Sequence, residues 1–467
     1  MFTVSIQTDR NKLSFTYEKP VSASKVLEDA GLFLAHPCGG RGICKKCSIL
    51  INNAEALACK TILAADAEIQ YHQVKEKIQA SPLKETQTTQ KHPLLESGHA
   101  AAIDIGTTTI AVYIYRFPEG KLVHSCCVAN PQRHFGADVI SRIQAYQNGN
   151  AMQLSNCVEE ILRNATKDFS IDLSVICGNT AMLHLLTGQD PSGMAVAPYK
   201  ADNLFGQWDN QKRYLVNCIS AYVGADITAA ILASSMNQHQ TALLVDIGTN
   251  GEMVLKHKDK FFCCSTAAGP CFEGAGISCG LPAVPGAIDH VFWKNGKIEY
   301  TTIDRAPAAG ICGSGLVDAI AILLQAGIID ETGYMENDFY FRDSNVFLSC
   351  EDIRKFQLAK SAIRSGIDTL LHQENIQSEE IEIFEIAGGF GSYLNIESSA
   401  ITGMIPKSLT SKASPIGNAA GAGCAMILRD SELLEDCKRI ASYAKTISLA
   451  DSTYFSERYV ENMMFEV

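Results

Sequence analysis

Four cysteines near the start of the chain, Cys38, Cys44, Cys47 and Cys59, are placed to hold one inorganic centre. The first three run Cys-x5-Cys-x2-Cys, and glycines at 39, 40 and 42 crowd the same loop. A cluster of two irons and two sulfides needs four thiolates from a chain that wraps it tightly. Glycines let backbone N–H groups approach the sulfurs, and those hydrogen bonds tune the potential. Plant-type clusters use Cys-x4-Cys-x2-Cys with a later fourth ligand, so the first gap here is one residue longer. A zinc site, which normally draws on two Cys-x2-Cys pairs, is an alternative for which one pair is present. A redox dithiol of Cys44 and Cys47 is another, and it leaves Cys38 without a task. Arg41, Lys45, Lys46 and Lys60 flank the loop, either as a basic rim for an acidic redox partner or as a solvated face. The remaining cysteines are scattered and read as buried thiols acting as small hydrophobes.

A second chemistry is written twice. AAIDIGT (101–107) and LLVDIGT (243–249) are near-copies. Each runs from an apolar strand through Asp-Ile-Gly-Thr into a second strand (Thr109–Tyr115; Glu252–Lys256). Such a turn presents backbone N–H groups and a hydroxyl to phosphate oxygens, and its carboxylate can hold Mg²⁺ through water. Asp104, Gly106, Thr107, Thr108 and Thr109 form one candidate phosphate loop. Asp246, Gly248, Thr249, Asn250 and Glu252 form the other. Further on, IAGGFGS (386–392) takes an apolar strand into a turn where Gly388, Gly389 and Gly391 leave room for the flat face of an adenine. Gly313 and Ser314, in GICGSG (310–315), precede an apolar helix over 316–326, and a helix start of this kind attracts anions. Each later glycine segment can also be an ordinary αβ turn. GNAAGAGCA (417–425) is a small-residue helix suited to close packing. No GxxxxGK[ST] is present, which disfavours a P-loop ATPase.

These residues need elements to place them. At 467 residues the chain is too long for one core. Residues 1–72 read as a small α+β domain. Strands over 2–7 and 13–17 form a hairpin around Asp9-Arg10-Asn11, and a helix capped by Ser22 or Ser24 ends at Ala30. Strands over 48–51 and 67–71 complete the domain. Residues 73–98 are rich in Lys, Gln, Thr and Glu and read as a flexible linker, spanning roughly 25–30 Å. Residues 99–467 alternate strands and helices. The repeated motif implies two related halves, about 99–238 plus 415–467 and about 239–414. The net charge of −12 argues against nucleic-acid or anionic-membrane binding. No apolar run approaches the roughly 20 residues of a membrane span, and no secretory signal precedes the first strand, so a cytoplasmic location is expected.

The paired motifs and the AGGFG segment resemble the superfamily of actin, hexokinase and heat-shock chaperone ATPases, with its duplicated ribonuclease-H-like fold. A narrower resemblance is to the reductive activators of corrinoid proteins. It is carried by AAIDIGTTT (101–109), NPQRHFGADVISRI (130–143), CGNTAMLHLLTG (177–188), YVGADITAAILA (222–233), LLVDIGTNGEM (243–253), GPCFEGAGISCGLPAVPGAI (269–288), GICGSGLVDAI (310–320), IAGGFGSYLN (386–395) and YVENMMF (459–465).

The resemblance implies a ferredoxin-like domain holding a [2Fe-2S] cluster on Cys38, Cys44, Cys47 and Cys59, followed by the ATPase. It implies ATP-dependent reduction of cob(II)alamin to cob(I)alamin on a corrinoid protein of a methyltransferase system. Electrons would come from a reduced ferredoxin or flavodoxin, and a homodimer is compatible with it. Plant-type clusters lie near about −400 mV, and the cobalt couple is expected lower, so nucleotide must compensate for the uphill step. Asp104 and Asp246 would organise Mg²⁺ and the attacking water. Thr107, Thr108, Thr249 and Asn250 would hold phosphates, and Gly388, Gly389 and Gly391 would flank adenosine. His134 and Glu273 read first as structural residues.

The stretch before Cys59 is shorter than the family's usual one, and the extra domain of larger members does not fit in the chain. A dense second cysteine cluster near the C-terminus is missing, which excludes variants with two four-iron clusters. Rival readings are an ATP-driven electron donor to a radical-type dehydratase, a small-molecule kinase with a redox-sensing domain, and a nucleotide-gated binding module.

Overall fold

The computed structural model describes residues 1–8, 11–30, 32, 47–71 and 90–466. Cys38, Cys44, the loop glycines, Arg41, Lys45, Lys46 and residues 73–89 of the expected linker lie outside the described residues.

In the first unit, strict alternation in Phe2–Thr8 turns Val4 and Ile6 inward, both fully buried. This strand pairs antiparallel with Lys12–Tyr17 and parallel with Ala67–Tyr71. The sheet continues through Ser48–Ile51 to Ala54–Leu57, a strand not expected from the sequence. Helix Ala23–Asp29 packs Ala23, Val26 and Leu27 into the same core. The Ser22 hydroxyl accepts from the Lys25 amide at 3.2 Å, as a helix start requires.

Two further sheets follow, built alike. In the first, Gly98–Ile105, Thr109–Phe117 and Lys121–Ala129 form an antiparallel meander. Ile171–Gly178 then pairs parallel on the free side of the leading strand. In the second, Thr241–Ile247, Gly251–His257 and Lys260–Thr266 repeat the meander, and Ile383–Ala387 takes the matching parallel place. Fully buried parallel strands read as continuous apolar runs, and both leading strands do so up to their aspartates.

The two cores are distinct. The first gathers Ile103, Val112, Val175 and Leu183, and the second gathers Val245, Leu255, Ile363 and Phe384. Small-residue helix Ala419–Arg429 lies against helix Ala225–Ala233 in the first half. A Cβ on Gly423 would stand 2.0 Å from the Ala229 carbonyl oxygen, so only glycine permits the approach.

Two expected boundaries shift. From Gln90 onward the stretch assigned to the linker is docked. The Leu94 amide donates to the Leu428 carbonyl at 3.0 Å, Ser431 N–H donates to His92 O at 2.7 Å, and Leu94 and Leu95 pack on the first core. Their apolar side chains in a polar stretch explain the docking. The tail divides as well. Residues 419–443 belong with the first half, but Lys445–Thr446 pairs with Lys260–Thr266, and Leu449 and Phe465 sit in the second core. Among the described residues no helix is long and apolar enough to cross a membrane.

Candidate active site

The two Asp-Ile-Gly-Thr turns face each other. Thr108 Oγ1 lies 3.3 Å from Thr249 Oγ1, although 141 residues separate them. Each turn closes on its glycine, and the first is one residue longer than the second. Gly106 N–H donates to Thr109 O and Gly248 N–H to Asn250 O, both at 2.9 Å. Between them opens a cavity of about 690 Å³. Its wall includes Asp104, Gly106, Thr107, Thr108 and Thr109 from one half and Asp246, Gly248, Thr249, Asn250 and Glu252 from the other. Gly313, Ser314, Gly388 and Gly389 line it too. Gly391 does not: it is buried behind the wall, where a Cβ would meet Ile386 at 2.7 Å. The reason is local, because the glycine turn coils into one helical turn, Gly388–Gly391, and carries its last residue inward. Gly388 has φ +91°, and a Cβ there would stand 2.6 Å from Asp246 Oδ1, so the close approach of the two segments requires glycine.

The first loop is pinned by the segment 130–142. Asn130 Nδ2 donates to Gly106 O and Asn130 N–H to Thr108 O, both at 2.8 Å. Buried Arg142 donates to Thr107 O at 2.6 Å and to Gly136 O at 3.0 Å. Asn179 Nδ2 reaches Thr107 Oγ1 at 2.9 Å. Arg133 lines the cavity, and His134 is not part of its wall.

The carboxyl groups of the site are crowded together and shielded from water. Burial first, then the charge of Asp246, pushes Asp104 up to about 7. Burial first, then Asp226, pushes Asp246 up to about 7. Asp226 and Glu252 are raised as well, by burial and then by neighbouring carboxylates. Buried like charges disfavour ionisation unless something positive joins them. Among the described residues no group of three His, Cys, Asp or Glu side chains converges to hold a metal ion on its own.

Sequence reasoning passed over several wall residues. Asp226 lies in the first turn of the otherwise apolar helix Ala225–Ala233, and a lone acid there was the available signal. Asn418 caps helix Ala419–Arg429 through the Gly421 amide at 2.7 Å, and its Nδ2 donates to Asp104 Oδ2 at 2.9 Å. His290 Nδ1 lies 3.0 Å from Asp318 Oδ2, whose other oxygen accepts from Ser398 Oγ at 2.6 Å. Glu273, read as structural, lines the cavity and bonds both threonines.

In the first unit the Cys47 and Cys59 sulfurs lie 3.2 Å apart, and neither forms a disulfide. The hairpin explains this. Ser48 pairs with Leu57, and Ala58 N–H donates to Cys47 O at 2.9 Å. The turn Asn52-Asn53 has positive φ at both residues, 50° and 65°, as tight hairpins demand. The short stretch before Cys59 is therefore long enough to return it to Cys47.

Comparison with known proteins gives a consistent set. Residues 240–467 match the family described as "C-terminal domain of RACo the ASKHA domain", and residues 99–239 match "RACo middle region". The corrinoid activation enzyme RamQ of Eubacterium limosum is 33% identical over 79% of this chain and 70% of its own length. The [Co(II) methylated amine-specific corrinoid protein] reductase of Methanosarcina barkeri is 28% identical over 64% of this chain and 65% of its own. Among solved structures, a reductive activator for corrinoid, iron-sulfur protein superposes with a TM-score of 0.73 at 26% identity. That match covers 100% of this chain and 98% of the other.

Proposed function

The chain belongs to the RACo family of ASKHA-domain activators, and from that premise we propose that it couples ATP hydrolysis to one-electron reduction of a corrinoid protein, from cobalt(II) to cobalt(I). The observation that carries this is the meeting of the two Asp-Ile-Gly-Thr turns, one from each half, across a single cavity. A triphosphate there bridges the halves, so its arrival and loss change how they sit. A ligand drives such a change only by its differential affinity for the two arrangements.

The residues present fit the groups that the reading needs. Buried carboxylates with raised pKa values fit Mg²⁺, and because they do not converge, the ion's shell would be completed by water and phosphate oxygens. The adjacent thiols of Cys47 and Cys59 fit two ligands of one small cluster, with Cys38 and Cys44 as the others. When bound, the [2Fe-2S] cluster supplies a low-potential one-electron carrier and Mg²⁺ supplies charge neutralisation for the triphosphate.

The chain's own residues do the rest. Thr107, Thr108, Thr109, Thr249 and Asn250 orient the phosphates, with the amides of Gly106 and Gly248 fixed in the turns. Asp104, steadied by Asn418, and Asp246, backed by Gly388, hold the charge of the metal–phosphate end. Asp226 and Glu252 are placed to orient water. Gly313 and Ser314, at the start of helix Gly313–Gln325, and Gly388 and Gly389 flank the nucleoside. The linker carries the cluster-bearing unit between a ferredoxin or flavodoxin donor and the corrinoid protein, in the cytoplasm.

The test uses the full chain purified without oxygen. It should be brown, with close to two irons, and should reduce a cob(II)alamin protein only with ATP. Asp246→Ala should leave the iron spectrum intact and abolish the ATP-dependent reduction. A variant that still reduces cobalt with ATP would remove Asp246 from the site.

A further inference from the structure

Glu273 stands between the two phosphate-type loops and is bonded to both. Thr108 Oγ1 reaches its two carboxylate oxygens at 2.9 and 2.8 Å, and Thr249 Oγ1 donates to Oε2 at 2.9 Å. Thr108 comes from the first half of the core, whereas Thr249 and Glu273 come from the second. The pair of hydroxyls therefore meets one carboxyl group across the cleft, and their bonds favour its ionised form against the burial that raises its pKa.

That acceptor is held firmly. Glu273 ends the short turn Pro270–Glu273, whose Cys271 and Phe272 are buried in the second core. Phe272 stacks on Phe390, beside the glycine turn, with ring centroids 5.0 Å apart. The buried Arg142, whose charge acts on Glu273, donates to the Thr107 and Gly136 carbonyls and to Met182 Sδ. Both threonine hydroxyls thus hydrogen-bond this one carboxylate.

A hydroxyl has one proton to donate. While Thr108 and Thr249 donate to Glu273, they cannot donate to a phosphoryl oxygen. We propose that Glu273 senses the terminal phosphoryl group: its carboxylate holds the two hydroxyls that this group would take, so a triphosphate must displace it at a cost in affinity and a diphosphate need not. A diphosphate ends one phosphoryl group short and leaves the clasp between the halves closed. A triphosphate takes both hydroxyls and adds negative charge beside the carboxylate, so Glu273 must give way. This deepens the proposed function and rests on its reading of the cavity as a nucleotide site. It makes Glu273 the residue through which the halves register whether a terminal phosphate is present.

The experiment measures calorimetric binding of Mg-AMPPNP and Mg-ADP to the full chain, with Glu273→Ala and Glu273→Gln alongside wild type. In Glu273→Ala the preference for the triphosphate analogue over ADP should rise by roughly ten-fold, because the competitor for the hydroxyls is gone. Glu273→Gln keeps the shape and an accepting oxygen but loses the charge, so it should move the same way by less. It also serves if the alanine variant fails to fold. A preference that stays put or falls in a folded variant overturns the clasp and leaves the nucleotide site standing. Wild type that binds neither nucleotide overturns the site and the clasp together.

Discussion

Asp104, Asp226 and Asp246 share a space that penalises their charges, and each carries a pKa raised by burial. Removing one should relieve the others. Asp226→Asn is expected to stabilise the ligand-free protein by about 1–3 kcal/mol at about pH 8, while lowering ATP turnover at least ten-fold. Thermal unfolding and phosphate release check the two halves of that statement. A second buried charge sits far from the site. Lys360 is 1% exposed, donates to Met464 O at 2.5 Å, and lies 4.9 Å from the Phe465 ring centre. Burial pulls its pKa from 10.5 down to about 7. The unfolded chain then binds more protons between those values, so stability should rise with pH across that window and its cost should be complete below about 7. Subtracting the melting curve of Lys360→Met from that of wild type isolates the slope, and parallel curves would refute it. Sequence showed Asp104, Asp246 and their threonines because the motif occurs twice. Asp226 and Asn418 stayed hidden because each reaches the cavity from a distant segment whose local pattern serves a helix, and Arg142 because it pins Thr107 from behind the wall.

Among the elements, the hairpin Ser48–Leu57 has the plainest task, which is to bring Cys59 back beside Cys47. Its turn holds Asn53 at φ +65°. A β-branched residue there costs roughly 1–2 kcal/mol or more. Asn53→Val should therefore lower the iron bound per chain, whereas Asn53→Gly should keep it, and neither should change nucleotide affinity. Iron analysis beside calorimetry separates the effects. The return strand Ala54–Leu57 escaped sequence reading because its residues, Ala-Glu-Ala-Leu, favour helix over strand and only the pairing overrides them. The leading strands of both large sheets were legible, since each is an unbroken apolar run ending at an aspartate. The docked stretch after Gln90 was not. Two leucines in a polar context have no period, and their burial depends on helix Ala419–Arg429 more than 300 residues later.

Over the whole molecule, the duplication visible in two short motifs extends to strand order, with the same meander and the same added parallel strand in each half. What the motifs left unread was how the halves are sewn together. The chain runs through the first half to Gln238, through the second to Gly417, back into the first as helices Ala419–Arg429 and Leu433–Tyr443, and returns from Lys445 to the second. Neither half is therefore a continuous stretch, and neither can come away intact. A single protease cut at the exposed turn Asn295-Gly296 would leave two pieces, each holding parts of both halves. Those pieces should elute as one particle from a sizing column and part only in denaturant. The same stitching means that any opening of the cleft must keep both halves joined at every crossing of the chain.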